Sequence, residues 1–128
     1  MNINSKKENI RKENKNKTCM ISYGKDTICI DPSLHIFHIL GKKHTIIILA
    51  YIGGIEHGKS FNEIFMGIPN SSTTIISSRL KELERNKLIK RETSDGKIIY
   101  RLTDVGEMIR ESIIPLMRTI ERNATLFQ

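Results

Sequence analysis

From residue 71 to residue 86 the apolar positions recur at helical spacing. Ile76, Leu80 and Leu83 stand at i, i+4 and i+7 and make one stripe for burial, while Thr73, Thr74, Ser77, Ser78 and Lys81 fall on the opposite face. Ser71 or Ser72 can accept a backbone N–H as N-cap, and Asn86 suits the left-handed position that closes a helix. The period then changes from helical to alternating. Leu88-Ile89 opens a strand, and Ser94-Asp95-Gly96-Lys97 carries the Asp-Gly signal of a type I′ hairpin. Ile98, Tyr100 and Leu102 alternate with Ile99 and Arg101 on the returning strand. The pattern predicts a helix with a hydroxyl-rich outer face running straight into a basic two-stranded ribbon.

The flanking segments extend this picture. Phe61–Met66 predicts a short helix with Ser60 as N-cap and Glu63 completing a capping box, followed by the turn Gly67-Ile68-Pro69-Asn70. Phe61, Ile64 and Phe65 are expected to lock it against the next helix. Thr103 caps a last helix whose Asp104 and Glu107 suit its N-terminal dipole. Met108, Ile109, Ile113, Leu116, Met117 and Ile120 give that helix a wider apolar stripe than one small domain needs, and Pro115 should kink or divide it. Two short helices joined by a tight turn, then a basic hairpin, are the core of a winged helix-turn-helix, a layout that binds duplex DNA. The fold class expected is mainly α with a small β wing. Its parts are a basic disordered arm (1–17), a β-hairpin (18–31), the winged helix-turn-helix (32–102) and a dimerising C-terminal helix (103–128).

Residues 18–31 read as a hairpin around Gly24-Lys25, with Gly first as a type II′ turn requires. Pairing Tyr23 with Asp26 sets Ile21 opposite Ile28 and Cys19 opposite Ile30, which leaves Cys19 and Cys29 on opposite faces. A three-residue turn would instead set the two cysteines opposite each other; the first register is preferred because it pairs the isoleucines. Asp31-Pro32 breaks the strand, and Ser33 can cap a helix over Leu34–Gly41.

Several segments stand in a familiar order and spacing. They are Leu40-Gly41-Lys42-Lys43-His44-Thr45-Ile46-Ile47-Ile48-Leu49, Phe61-Asn62-Glu63-Ile64, Arg79-Leu80-Lys81-Glu82-Leu83-Glu84 with Leu88-Ile89-Lys90-Arg91, and Tyr100-Arg101-Leu102-Thr103-Asp104-Val105-Gly106. Together they resemble the HxlR family of winged-helix transcriptional regulators, with its G-G-K-W-T-x-x-I-L, F-x-E-L, R-L-x-x-L-e-x-x-G-L-I-x-R and Y-x-L-T-x-x-G segments. His44 stands where that family has Trp, Asn86 where it has Gly, and Asp31-Pro32 where it has Cys-Pro, so no thiol-sensing role is implied at that position. The resemblance settles one ambiguity. By propensity Ile46-Ile47-Ile48 would be a strand, but the family order and the stop at Gly53-Gly54 make it a helix, with Ile46, Leu49, Ile52 and Tyr51 toward the core.

Charge then points to a partner. The net charge is +7. Residues 1–17 hold six basic and two acidic side chains, and residues 71–102 hold eight and four; the remaining segments are neutral or slightly acidic. Positive charge therefore gathers on the arm and on the helix with its wing, as a phosphate-contacting surface requires. The candidate DNA-binding residues are Ser71, Ser72, Thr73, Thr74, Ser77, Ser78, Arg79 and Lys81 on the helix, and Arg91, Lys97 and Arg101 on the wing. Arg79 has an alternative in pairing with Glu82 on its own helix. Ile109, Ile113, Leu116, Met117 and Ile120 are the candidate dimer contacts, in a homodimer whose two helices would read half-sites one helical turn apart.

Other chemistries find little support. His35, His38, His44 and His57 have no carboxylate or thiol at ligand spacing, so no metal and no cofactor is expected. Gly53-Gly54-Ile55-Glu56-His57-Gly58-Lys59-Ser60 satisfies the phosphate-loop pattern formally. That motif needs a strand before it, a long helix after it and further parallel strands, so the match is read as chance. No nucleophile or acid–base set converges, and no enzyme is expected. The apolar run Thr45–Ile52 is far short of the ~20 residues of a membrane span, and residues 1–17 lack the apolar core of a signal peptide. The expected location is cytoplasmic. A small-molecule or redox effector gains no support from the residues. The competing reading is a winged helix used for protein contact, its basic face meeting an acidic partner.

Overall fold

The computed structural model describes residues 18–128; the basic arm expected over 1–17 lies outside the described residues. The chain divides into a unit ending at Phe37 and a unit His38–Gln128. The first holds the hairpin β1 (Cys19–Tyr23) and β2 (Asp26–Ile30) in the expected register, with Tyr23 opposite Asp26, Ile21 opposite Ile28 and Cys19 opposite Ile30. Gly24 alone in the turn takes a positive φ of 61°, as a type II′ turn requires. Met20, not Cys19, faces Cys29, and both cysteines are free and exposed. After β2 the turn is organised by Asp31: its carboxylate accepts from the Ser33 amide (2.9 Å) and the Ser33 hydroxyl (2.6 Å). Ser33 thus serves that turn. The short helix α1 (His35–Leu40) runs across the boundary between the two units.

The second unit is built from α2 (Thr45–Ile52), α3 (Phe61–Gly67), α4 (Thr73–Arg85), the wing β3 (Ile89–Ser94) and β4 (Lys97–Leu102), and α5 (Asp104–Arg122), with a 3₁₀ turn at Ala124–Phe127. Its core is aliphatic: Ile39, Ile48, Leu49, Ile52, Ile64, Ile76, Leu80, Leu83, Ile89 and Leu102 are all but completely buried. The family order was the right guide at Thr45–Ile52, which is helical, and its inner face holds Leu49 and Ile52 as expected but not Ile46 and Tyr51. Thr45, Ile48, Leu49 and Ile52 are buried, whereas Ile46 is half-buried and Tyr51 exposed. Those four stand at i, i+3, i+4 and i+7, one helical stripe.

Local signals closed the other elements largely as expected. Ser60 and Glu63 form the capping box of α3, each backbone N–H donating to the other's side chain at 3.2 Å. Ser72 is the N-cap of α4 and accepts from the Ile75 amide at 3.1 Å; Ser71 instead donates its hydroxyl to the Ile68 carbonyl in the preceding turn. The left-handed residue after α4 is Lys87 (φ 64°), one position past Asn86. The Leu88 amide returns to the Leu83 carbonyl and the Lys87 amide to Glu84, both at 3.0 Å, and both leucines are buried, which is a Schellman closure. Counting along R-L-x-x-L-e-x-x-G-L-I puts the motif's Gly at Lys87, so the residue that departs from the motif is Lys87. The wing turn has Asp95 and Gly96 both at positive φ, the type I′ form.

Two long-range features fix the wing. The Lys59 amide donates to the Tyr100 carbonyl (3.0 Å) and the Tyr100 amide to the Lys59 carbonyl (2.8 Å), so the segment before α3 adds a bridge to the edge of β4. At the other end Thr103 caps α5, accepting from the Gly106 amide (3.1 Å) while its hydroxyl donates to the Lys87 carbonyl (2.6 Å). Helix α5 runs unbroken through Pro115, so the expected division does not occur.

Candidate nucleic-acid interface

On α4 the buried stripe Ile76, Leu80, Leu83 leaves a face of Thr74, Ser77, Ser78, Lys81 and Arg85 turned to the opposite side. The structure brings Thr73, Thr74, Ser77, Ser78 and Lys81 together with Phe61 of α3 around an open groove of about 510 Å³. All five of these α4 residues were candidates from sequence. Ser71 and Ser72 are not among the groove residues, because their side chains hold the turn and the helix cap.

Two of the five cationic candidates, Arg79 and Arg101, are engaged by carboxylates of the fold. Arg79 is turned to the flank of the helix, where its Nε donates to the Lys43 carbonyl (2.9 Å) and its Nη1 meets Glu82 (3.2 Å); its side chain is only 17% exposed. Glu82 also holds the Lys42 ammonium at 3.0 Å. That ammonium, helped by the Arg79 and His38 charges, keeps the Glu82 carboxyl below the usual glutamate range. Arg79 therefore takes its intrahelical alternative and ties α4 to the loop before α2. Arg101 donates from Nε to Glu92 (2.9 Å), and Lys90 meets the same carboxylate at 3.1 Å. These two donors hold the Glu92 carboxyl below its ordinary value.

Subtracting those pairs leaves Lys81, Arg85, Lys87, Arg91 and Lys97 as the cations of this region with no ion-pair partner among the described residues. Arg85 and Lys87 were missed from sequence. For Arg85 the signal was present, since it follows Lys81 by one helical turn on the same face. Lys97, at the start of β4, is near enough to the α3 cap to help lower the Glu63 carboxyl, whose main cause is the capping bonds from Ser60.

The formal phosphate-loop stretch does different work. The Lys59 backbone is spent on the bridge to Tyr100. Its ammonium donates to the Ile52 carbonyl (3.3 Å) and lies 4.8 Å from the centre of the Tyr51 ring. Among the described residues no group of three or more His, Cys, Asp or Glu side chains is placed to hold a metal ion, and no helix is long and apolar enough to cross a membrane.

Of the candidate dimer residues, Ile113 is 7% exposed and belongs to the hydrophobic core, and Ile109 and Met117 are half-buried. The Arg110 Nε donates to the Ala50 carbonyl at 3.0 Å, fastening this part of α5 to α2. Leu116 and Ile120 are 47% and 42% exposed, with Leu126 and Phe127 more so.

A short helix, a tight turn, a second helix with an exposed polar face, and a hairpin wing define a winged helix-turn-helix. Residues 39–126 match the HxlR-like helix-turn-helix family, and the chain belongs to it. Members of this family are transcription regulators, not enzymes. A solved structure described as a possible HxlR family transcriptional factor from Thermoplasma volcanium GSS1 is 38% identical, with a TM-score of 0.77 over 85% of this chain and 99% of the other. The HTH-type transcriptional regulator YvaP of Bacillus subtilis is 32% identical over 90 residues, 68% of this chain and 78% of YvaP. YodB of the same organism, also an HTH-type transcriptional regulator, is 34% identical over 77 residues, 58% of this chain and 67% of YodB.

Proposed function

We propose that the chain is a cytoplasmic, homodimeric, sequence-specific double-stranded DNA-binding regulator of repressor type. In this reading α4 enters the major groove with Thr73, Thr74, Ser77, Ser78 and Lys81, and the wing lays Arg91 and Lys97 along the backbone or minor groove. The observation that carries it is the sorting of charge. Acidic partners neutralise Arg79, Lys90 and Arg101, while the cations left unpaired sit on the outer face and end of α4 and on the wing. Leu116 and Ile120, exposed on the second half of α5, supply the apolar contact to a second copy. Two α4 helices related by a two-fold axis would then meet half-sites about 34 Å apart.

The test is fluorescence anisotropy with a duplex from the chain's own upstream region and a scrambled duplex, at low and moderate salt. Tighter binding to the native duplex, with steep salt dependence on both, is the expected result. Equal affinity for both duplexes removes sequence-specific regulation at that site. No binding at low salt removes DNA binding and favours the winged helix as a protein-contact module with an acidic partner.

A further inference from the structure

The α4 groove is unusual in what it lacks. Its lining, Phe61, Thr73, Thr74, Ser77, Ser78 and Lys81, holds no Asn, Gln, Arg or carboxylate. Those side chains, together with lysine, make paired hydrogen bonds to adenine or guanine edges or accept from cytosine, and Lys81 is the one of them in the groove. Of the two arginines on this helix, Arg79 is drawn off to Lys43 and Glu82, and Arg85 stands in the last turn, outside the groove lining. What remains is one ammonium, four hydroxyls that serve any base or phosphate, two threonine methyls and an aromatic ring. The major groove of B-DNA presents one apolar group to such a surface, the thymine C5 methyl.

We propose, building on the DNA-binding reading above, that this chain selects its half-site through thymine methyls, packed against the methyls of Thr73 and Thr74 and the ring of Phe61. The hydroxyls of Ser77 and Ser78, and the Lys81 ammonium held on a phosphate as a point charge, fix the helix on the duplex without choosing among bases. The half-site is therefore rich in A·T pairs where the first turn of α4 meets it. Specificity comes from burial of methyls, each worth about fourfold in affinity at ~0.8 kcal/mol per buried carbon.

The experiment uses a duplex enriched by the full chain from a randomised pool, and its twin in which uracil replaces thymine. Uracil keeps every hydrogen-bonding group and loses only the methyl. The wild-type chain is expected to bind the uracil duplex about fourfold more weakly for each methyl it contacts. The double variant Thr73→Ser, Thr74→Ser keeps both hydroxyls and should lower the thymine-to-uracil ratio to what the Phe61 ring alone supports. Thr73→Val, Thr74→Val keeps the methyls and should preserve that ratio. Far-ultraviolet circular dichroism confirms that each variant is folded. Equal binding of both duplexes by the wild type overturns methyl readout while leaving DNA binding intact. So does a thymine-to-uracil ratio that is undiminished in the serine variant, because the threonine methyls then contribute nothing to it. Failure to enrich any duplex overturns the DNA-binding reading and this inference with it.

Discussion

Gly106→Ala separates a conformational role for glycine from a steric one. Gly106 lies in the first turn of α5, where alanine would ordinarily improve a helix by about 1 kcal/mol. A Cβ built there, however, overlaps the Leu88 carbonyl oxygen and comes within 3.0 Å of its carbon, both backbone atoms. The start of α5 must therefore move by about 1 Å or more from the segment that joins α4 to β3, as ordinary van der Waals spacing requires. Three bonds cross or close that seam: Thr103 amide to Leu88 carbonyl (3.0 Å), Thr103 hydroxyl to Lys87 carbonyl (2.6 Å) and Gly106 amide to Thr103 hydroxyl (3.1 Å). At about 1 kcal/mol each, weakening all three outweighs the helix-propensity gain and leaves a net loss of about 2 kcal/mol. Urea denaturation at fixed protein concentration reads this as a fall in midpoint of roughly 1–2 M. Gly96→Ala is the control. It has no atom within 4 Å of its Cβ but a φ of 76°, so it should cost only about 1 kcal/mol through backbone strain. A Gly106→Ala midpoint at or above the wild type would refute the close approach, since propensity would then have prevailed.

Four further outcomes follow from the same geometry. Lys97→Ala should weaken binding to every duplex and lower the slope of log K against log salt by about 1 per contact, or about 2 per dimer, whereas Arg79→Ala should leave the slope unchanged and lower stability by about 1 kcal/mol. Leu116→Asp with Ile120→Asp should yield a folded monomer by sedimentation equilibrium; Ile113→Ala, in the hydrophobic core, should instead cost about 2–4 kcal/mol of stability. Glu82 and Glu92 have carboxyls held low by their cations, so their contribution is full above the ordinary glutamate value of 4.5 and is lost as pH falls through the depressed values. Thermal melts from pH 6 to pH 3 should show the loss, and Glu82→Gln should flatten it. Lys87→Gly relieves a left-handed lysine at about 1–2 kcal/mol but adds unfolded-state entropy of about 0.5–1 kcal/mol, so stability read from the midpoint should rise by no more than about 1.5 kcal/mol.

What sequence made legible was whatever a residue's near neighbours decide. The capping box at Ser60 and Glu63, the Asp95-Gly96 turn, the hairpin register around Gly24 and the Ile76, Leu80, Leu83 stripe all rest on spacings of a few residues. The inner face of α2 was not legible by that route. Thr45–Ile52 is apolar almost all round, so its pattern carries no preferred direction, and burial of Thr45 is decided by the elements packed against it. Arg79 posed the same difficulty on the surface. Its competitor for a phosphate was visible at Glu82, three residues away, but its other partner is the Lys43 carbonyl, 36 residues back.

The two misleading signals had the same origin. Gly53 to Ser60 matches a phosphate loop letter by letter, yet the Lys59 backbone is claimed by Tyr100, a pairing 41 residues distant that no local pattern encodes. The stripe on α5 reads as one continuous interface, but Ile113 is buried and Ile109 half-buried beside the Arg110 bond to α2, while Met108, Leu116 and Ile120 stay exposed. The candidate site escaped this difficulty for a physical reason. A helix that buries one strong stripe must present the opposite one, so fixing Ile76, Leu80 and Leu83 inward also fixes Thr74, Ser77, Ser78 and Lys81 outward. The inside of α4 was readable, and its outside follows as the complement. Which of its cations remain available is a different question, because each depends on whether a carboxylate elsewhere in the fold has reached it first.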